Sequence, residues 1–271
     1  MMGYTDCYFR SLIENIYGNR VLTFSEMIVD KAIIHNEIKT ISKNFLEKNK
    51  SAIQIAGSDP QEIKRTINIL NRIDIIKHVN FNLGCPSSRV QENMLGLALT
   101  QNYDLVKKCL FELINYKHEV SVKCRLGLGM NEDKNYIFSY LNLFKDIGIK
   151  KIFIHCRNGV LNLDTKKNRT IPQINYELFL ECSKKFPEME LIPNGEVNNL
   201  DTFNSFKSKK INKYMIGRQF AKDALFLEKL KLEKINDKTS LVLDSIKELD
   251  NYKFLNINLL KKSLYTLINN I

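Results

Sequence analysis

The residue with the clearest chemical potential is Cys85, which follows an extended apolar run at residues 76–83. It lies between Gly84, which lets other groups approach the backbone closely, and Pro86, which keeps the preceding residue out of the helical region. This setting is not typical of a core cysteine. We therefore interpret Cys85 as a thiol presented at the end of a strand, where it can act as a nucleophile or as a proton donor.

Polar residues also recur where the other predicted strands end. The carboxyl ends of parallel strands meet at one edge, and in barrel enzymes the chemistry lies at that edge. Core packing would not produce this recurrence. The residues concerned are Glu26, Gln54, Asn82, Lys123, Arg125, His155, Arg157, Asn194, Gly195, Gly217 and Arg218.

Some of these residues indicate a ligand more strongly than others. Lys123 lies in an otherwise apolar strand, and a buried lysine is costly unless an anion lies beside it. Gly217 and Arg218 follow the last predicted strand, where many barrels bind phosphate. His155 is compatible with a ligand contact or with a satisfied core histidine, and Arg157 with a site or with an exposed surface.

A long polar segment, residues 157–172, carries the basic residues Lys166, Lys167 and Arg169. We call this segment the basic loop. A charge run is usually a solvated surface, but this one follows a strand end, so contact with a polyanion is an equal alternative. The formal net charge of +11 favours a partner such as nucleic acid, although an AT-rich coding sequence also enriches lysine.

The elements that must position these residues alternate between strand and helix. Apolar runs predict strands at residues 21–27, 51–56, 76–83, 119–124, 151–155, 189–193 and 213–216, with helical periodicity between them. This alternation predicts an α/β fold with a parallel sheet, most simply a (β/α)8 TIM barrel. An open doubly wound sheet is the alternative, but no Gly-x-Gly-x-x-Gly follows an early strand.

The ends of the sequence suggest two departures from a regular barrel. The sequence opens directly before its first predicted helix, so we expect the first barrel strand to be missing; either the barrel lacks it or the native chain starts upstream. We expect a barrel domain at residues 1–230 and a small helical extension at residues 231–271, with helices at 239–249 and 257–271.

Cysteine spacing and hydropathy exclude several classes of protein. The six cysteines are scattered without a Cys-x-x-Cys pair, which predicts free thiols and no metal site. No secretory signal and no apolar run of membrane-spanning length is present. We expect a monomeric, cytoplasmic protein without membrane association.

Taken together, these segments resemble the tRNA-dihydrouridine synthases, and within them the A subfamily. The most specific matches are residues 84–91, Gly-Cys-Pro-Ser-Ser-Arg-Val-Gln, and residues 168–172, Asn-Arg-Thr-Ile-Pro. Residues 2–6, 122–127, 155–157, 194–195 and 215–218 match as well, so the resemblance runs in order from residue 2 to about residue 230.

The resemblance implies a flavin-binding TIM barrel and a helical C-terminal domain that helps to hold tRNA. It implies that FMN, reduced by NADPH, serves to reduce the 5,6 double bond of uridines in the tRNA D-loop. Hydride then goes to uracil carbon 6 and a proton from Cys85 to carbon 5. Ordinary cysteine thiols have a pKa of about 8.5, so they are mostly protonated at neutral pH and suit a general acid.

The same resemblance implies two groups of site residues. The FMN contacts are Met2, Gln54, Lys123, His155, Asn194, Gly195, Gly217 and Arg218. The substrate-side residues are Asn82, Arg125 and Arg157, with Lys166, Lys167 and Arg169 on RNA phosphates. Lys123 would stabilise the anionic reduced flavin, and the target base must leave its stack.

The sequence departs from the family pattern in three places. The usual first strand is absent, Glu196 stands where a second glycine is usual, and the C-terminal region is short, at about 40 residues. Two other functions stay open. One is a TIM-barrel flavin oxidoreductase of a small molecule, similar to dihydroorotate dehydrogenases. The other is a degenerate tRNA-binding protein without catalysis.

Overall fold

A computed structural model describes residues 1–45 and 50–232, together with positions 234, 235, 240, 247 and 263. In this part of the chain one sheet contains the strands β1 (Phe24–Val29), β2 (Ala52–Ala56), β3 (His78–Asn82), β4 (Glu119–Arg125), β5 (Lys151–His155) and β6 (Glu190–Asn194). All neighbouring strands are parallel, and the order in the sheet follows the chain.

Helices connect the strands and flank them. They are α1 (Cys7–Tyr17), α2 (Asp30–His35), α3 (Glu37–Asn44), α4 (Pro60–Leu70), α5 (Ser88–Glu92), α6 (Tyr103–Leu113), α7 (Lys134–Ile147), α8 (Tyr176–Lys185), α9 (Leu200–Ser208), α10 (Arg218–Lys222) and α11 (Phe226–Lys229). The start of α4 illustrates how the sequence sets these elements. Pro60 occupies the first turn, and the Asp59 carboxylate caps the helix by accepting the Gln61 amide at 2.8 Å.

The strand order separates the two topologies that the sequence allows. A doubly wound sheet reverses its order at a switch point, whereas the order here never reverses. The rings of Phe24 in β1 and Phe153 in β5 lie 5.0 Å apart, although four strand spacings in a flat sheet amount to roughly 19 Å. The sheet therefore curls until its first and fifth strands face each other. The parallel α/β fold is confirmed, and its curvature is consistent with a TIM barrel.

The two faces of the curled sheet differ in chemistry. Side chains alternate between the faces of each strand. On the outer face, fully buried strand residues pack in one core with helix residues such as Ile67, Val106 and Phe144; the strand residues are Val79, Phe81, Val122, Ile152 and Ile154. Along β3 and β4 the inner face is polar, with His78, Asn80 and Asn82 on β3 and Glu119, Ser121, Lys123 and Arg125 on β4. The rings of Phe24 and Phe153 meet on the same face.

The last part of the predicted barrel differs from expectation. The strand predicted at residues 213–216 contributes a single bridge, between Asn194 and Met215. The Asn194 side chain takes the Met215 carbonyl at 2.8 Å, the group that a continuing ladder would use. The chain then forms two short helices, α10 and α11, which are separated at Asp223, whose backbone is extended.

The predicted tail helices at 239–249 and 257–271 lie outside the described residues, apart from isolated positions. The division into two domains at residue 230 stays a prediction. No helix in the described ranges is both long and apolar enough to cross a membrane.

Candidate active site

Cys85 lies in the loop after β3, residues 83–87, which we call the cysteine loop. The side-chain oxygen of Asn82 accepts the amides of Gly84 and Cys85, both at 3.0 Å. The Cys85 carbonyl accepts the Leu97 amide at 3.1 Å, and the Cys85 Sγ lies 3.7 Å from the Ser87 hydroxyl. These contacts hold the thiol in a fixed position at the carboxyl end of the strand.

Cys85 differs from the other five cysteines in its exposure. It is half-buried, whereas Cys7, Cys109, Cys124, Cys156 and Cys182 are buried. Burial raises the pKa of each of these five thiols, because it disfavours the charged thiolate. The accessible thiol of the chain is therefore the one at the strand end.

A chain of hydrogen bonds inside the sheet holds Asn82 in turn. Asn82 donates to the Gln54 side-chain oxygen at 2.9 Å, and Gln54 donates to Asn80 at 2.8 Å. Asn80 donates to the Ser121 hydroxyl at 2.8 Å, and the same hydroxyl lies 2.5 Å from the His78 ring. Sequence reasoning singled out Gln54 and Asn82 but missed the deeper members of the chain. The signal for them was the polar residue at every second position of β3.

Two cationic side chains, Lys123 and Arg125, and the neutral imidazole of His155 lie on neighbouring strands at the carboxyl end of the sheet, which we call the mouth. Lys123 pairs in register with Asn82, and Arg125 with His155. Burial, and then the nearby Arg125, lowers the pKa of Lys123 to about 8. Burial, followed by the charges of Arg125 and Lys123, holds the pKa of His155 well below its ordinary value.

These pKa shifts indicate positive charge on Lys123 and Arg125 that no carboxylate among the described residues balances. Burial lowers the pKa of Arg125 to about 10, and the neighbouring Arg157 adds to the effect. In the part of the chain that the structure describes, no ion pair involves Lys123, Arg125 or His155. Half-buried or buried cations without carboxylates create a site that favours an anion.

Asn194 and Gly195 form the next part of the mouth. Asn194 pairs in register with His155. Gly195 has a φ of +106°, and a Cβ at this position would lie 2.6 Å from the His155 ring. Tyr176 fixes the turn by donating its hydroxyl to the Gly195 carbonyl at 2.6 Å. Only glycine allows the backbone to pass the imidazole this closely.

Gly217, Arg218 and Met2 complete the set of predicted cofactor residues. Arg218 begins α10 and is exposed, and its charge contributes to the lowered pKa of His155. A Cβ at Gly217 would lie 2.8 Å from the Met1 Sδ, so the N-terminal residues lie against this turn. Met2 itself is exposed. The structure thus brings Gly217 and Arg218 to the same mouth.

Arg125 is occupied by backbone carbonyls of two loops. It is 5% exposed. Its Nε donates to the Gly84 carbonyl at 2.9 Å, and its Nη1 donates to the Asn158 and Asn168 carbonyls at 2.9 and 3.3 Å. The guanidinium therefore ties the cysteine loop to the basic loop. A direct contact of Arg125 with substrate stays a prediction.

Arg157 is equally occupied. It is 2% exposed, and its Nη1 donates to the carbonyls of Thr170, at 2.6 Å, and Pro172. Its Nη2 pairs with the Glu196 carboxylate, while its buried Nε has no partner in the described ranges. The carboxylate of Glu196 is thus paired with a cation. Arg157 holds the end of the basic loop, and its contact with substrate stays a prediction.

The basic loop presents its charges to solvent around one buried residue. Asn168 is fully buried and donates to the Val160 and Leu163 carbonyls at 2.8 and 2.9 Å. The flanking residues Lys166, Lys167 and Arg169 are exposed. The hydrogen bonds of Asn168 therefore hold the loop in one conformation, and the three cationic side chains are exposed to solvent beside the mouth.

Comparison with known proteins places these features in context. The sequence profile of the family described as dihydrouridine synthase (Dus) matches residues 1–262. The chain is similar to the tRNA-dihydrouridine(20/20a) synthase of Pseudomonas putida, with 28% identity over 203 residues, 74% of this chain and 60% of that protein. The corresponding protein of Synechocystis is 29% identical over 220 residues, 80% of this chain and 65% of that protein.

A third relative matches over a longer range. The tRNA-dihydrouridine(20/20a) synthase of Yersinia pestis is 27% identical over 253 residues, 92% of this chain and 72% of that protein. The chain spans 60% to 65% of the length of the two relatives named before it.

Proposed function

The chain belongs to the dihydrouridine synthase family, which is flavin-dependent, and on that premise we propose that it reduces uridines of tRNA to 5,6-dihydrouridine with FMN and NADPH. The names of the relatives support the A subfamily, and we propose the D-loop as the target. One observation carries the proposal: the half-buried thiol of Cys85, whose backbone is hydrogen-bonded on both sides, lies at the same mouth as Lys123 and Arg125, which pair with no described carboxylate.

The residues at the mouth fit FMN. Its phosphate and its reduced ring are anionic, and the uncompensated charges of Lys123 and Arg218 would complement them. Gly195 and Gly217 bring their backbones close to the His155 ring and to Met1, which a side chain at either position would displace. The residues proposed to hold FMN are Met2, Gln54, Lys123, His155, Asn194, Gly195, Gly217 and Arg218.

We assign the acid step to Cys85. When bound, the flavin supplies the hydride for uracil carbon 6. Cys85 donates its proton to carbon 5 from the opposite face, which forms a C–H bond and leaves a thiolate. The thiolate regains a proton from solvent, to which Cys85 is partly exposed. Asn82 has a second N–H besides the one given to Gln54, and we propose that it binds the uracil.

The basic loop is proposed to hold the RNA. Lys166, Lys167 and Arg169 would contact phosphates, so binding would depend on salt. The target nucleotide must be extruded, because a stacked base cannot reach a thiol set in the mouth. Arg125 and Arg157 are proposed to support substrate binding beside the same loop.

The test combines a spectrum with a turnover assay. Purified protein should show flavin absorbance and, with NADPH, form dihydrouridine in unmodified tRNA. Cys85→Ala should reduce turnover by at least about a hundredfold, while flavin and tRNA binding stay unchanged. A Cys182→Ala variant, which removes a buried thiol, is the control and should retain turnover.

Three results would contradict the proposal in different ways. Full turnover by Cys85→Ala would exclude this thiol as the acid. Tight tRNA binding without flavin absorbance would indicate a non-catalytic tRNA-binding protein. Flavin reduction without any salt-dependent tRNA affinity would indicate an oxidoreductase of small molecules.

A further inference from the structure

Three successive carbonyls of the cysteine loop are each bound by a different donor. The Gly84 carbonyl accepts Arg125 Nε at 2.9 Å, and the Cys85 carbonyl accepts the Leu97 amide at 3.1 Å. The Pro86 carbonyl accepts the side-chain nitrogen of Gln91 at 2.7 Å. The first two donors belong to groups already described, whereas Gln91 has no role in the proposed chemistry.

The other end of the Gln91 amide reaches the basic loop. Its side-chain oxygen accepts the backbone amide of Asn162 at 3.2 Å. Asn162 has a φ of +63°, a conformation that needs support from its surroundings. Gln91 itself is anchored in α5, where its amide donates to the Ser87 carbonyl at 2.9 Å. One side chain therefore spans from the residue after Cys85 to the loop with the exposed cations.

One neighbouring contact joins the same pair of loops, and a second joins the basic loop to Leu97, whose amide binds the Cys85 carbonyl. Arg125 binds the Gly84 carbonyl on one side and the Asn158 and Asn168 carbonyls on the other. Gly159 packs so closely that a Cβ there would lie 2.3 Å from the Leu97 side chain. The interface between the two loops is therefore tight, and Gln91 is its half-buried outer link.

We propose that Gln91 is a positioning residue for Cys85. By binding Pro86 and Asn162 with the two ends of one amide, it fixes the cysteine loop relative to the basic loop. A nucleotide held by the basic loop then meets the thiol in the geometry needed for proton transfer. The inference rests on the proposed function for its reaction, although the fixed placement of the thiol can be measured without RNA.

Gln91→Met tests the proposal, because methionine keeps the length of the side chain and removes both hydrogen bonds. We expect kcat to fall about tenfold, since small misplacement of a reacting group is costly. The KM for tRNA and the flavin content should stay within about twofold of the original, because Gln91 contacts none of the residues proposed to bind them. Gln91→Glu should show the same fall in kcat as Gln91→Met, since glutamate keeps an acceptor for the Asn162 amide but has no donor for the Pro86 carbonyl.

Gln101→Met is the matched control. Gln101 also donates its side-chain amide to a local carbonyl, that of Ala98 at 3.4 Å, but it is exposed and has no described contact with the basic loop. This variant should keep the kcat of the original protein. A second readout, the rate of Cys85 alkylation by iodoacetamide followed by peptide mass spectrometry, should rise at least about threefold in Gln91→Met and not in Gln101→Met.

The outcomes separate this inference from the proposed function. A Gln91→Met protein with unchanged kcat and unchanged alkylation rate would overturn the positioning role. So would a loss of flavin and a lowered melting temperature that accompany the fall in kcat, because they indicate a general structural role. If the original protein forms no dihydrouridine, the proposed function fails, and the alkylation rates alone decide whether Gln91 positions the thiol.

Discussion

Both ends of the curled sheet carry charged side chains, but the two ends differ in whether these side chains form ion pairs. At the end opposite the mouth, Lys151 pairs with Glu119 and lies 3.7 Å from Glu190. Lys213 pairs with Glu190 as well. At the mouth, Lys123 and His155 have no such partners among the described residues, and burial lowers the pKa of both.

This difference in charge pairing assigns a structural role to the strand starts and a ligand-binding role to the mouth. Paired charges at the strand starts satisfy one another and join adjacent strands, which is a structural role. An unpaired cation such as Lys123 costs folding free energy, so its presence at the mouth is explained when an anionic ligand completes the site, and the neutral His155 adds a polar contact there. In barrels the same division places chemistry at the carboxyl ends of strands and structural features at the other end.

The largest effect that tests this contrast comes from Lys123→Met. We expect the FMN affinity to fall about a thousandfold, or about 4 kcal/mol, because a buried anionic group loses its cation. Flavin fluorescence titration measures the change. Lys151→Met is the control at the opposite end: it should lower the free energy of unfolding and leave FMN affinity within about twofold. Equal FMN affinity in all three proteins would refute the contrast.

Acid should destabilise the opposite end through His78, in addition to the same effect of the buried His155 at the mouth. Burial lowers the pKa of His78 to about 4, against the opposing charge of Glu119 at 3.3 Å and together with the like charge of Lys151. In the unfolded chain the His78 imidazole therefore binds a proton below about pH 6.5, whereas in the folded protein it stays neutral down to about pH 4. Stability should fall by about 3 kcal/mol as the pH drops through this window.

Urea unfolding at pH 7 and pH 4.5 measures this loss. His78→Gln retains a side-chain hydrogen bond for Ser121 but cannot titrate, so its unfolding midpoint should depend less on pH. An equally steep acid loss in this variant would assign the effect to other groups.

The mouth should also respond to alkaline pH, through Lys123. The pKa of Lys123 is about 8, and a bound anion raises it. The FMN affinity should therefore be highest below about pH 8, where Lys123 is protonated, and decrease above this pH by up to about tenfold per pH unit. Titrations between pH 7 and pH 9.5 measure the slope. Lys123→Arg, whose charge persists, should flatten it; a slope that survives this change would argue against Lys123.

The smallest effect concerns the surface charges beside the mouth. Lys166→Ala should weaken tRNA binding about fivefold and reduce the salt dependence by about one counter-ion. Lys209→Ala removes an exposed lysine just after α9, away from the mouth, and should leave both quantities unchanged. Equal losses in the two variants would mean that RNA binds through net charge alone.

Much of the fold followed from pattern alone. Alternating apolar runs and helical periodicity predicted the parallel sheet, and the expected family is confirmed by the profile match. The strand ends were predictable because period-two alternation shows which residues leave the apolar run. Asn82, Lys123, His155 and Asn194 lie at the mouth for this reason. Gln54 lies in the middle of β2 and contacts the mouth through its hydrogen bond with Asn82.

The remainder depends on contacts that local sequence does not encode. Arg125 binds backbone carbonyls of the basic loop, and nothing in its own segment specifies that distant partner. Arg157, the first residue of that loop, binds carbonyls 13 and 15 residues further along it, a closure that its local sequence does not specify. The strand predicted at residues 213–216 is reduced to one bridge because the Asn194 side chain takes the Met215 carbonyl. Only the folded chain shows that the Glu196 carboxylate is paired with Arg157.

The alternation of the strands also determines how this protein can evolve. Every second residue of β3 and β4 faces the helices. These residues, such as Val79, Phe81 and Val122, are fully buried and pack in the core. The intervening positions, such as Asn80 and Ser121, contribute polar contacts to the interior instead. Substitutions on the inner set can therefore alter which ligand the protein accepts, while the outer set preserves the fold through such changes.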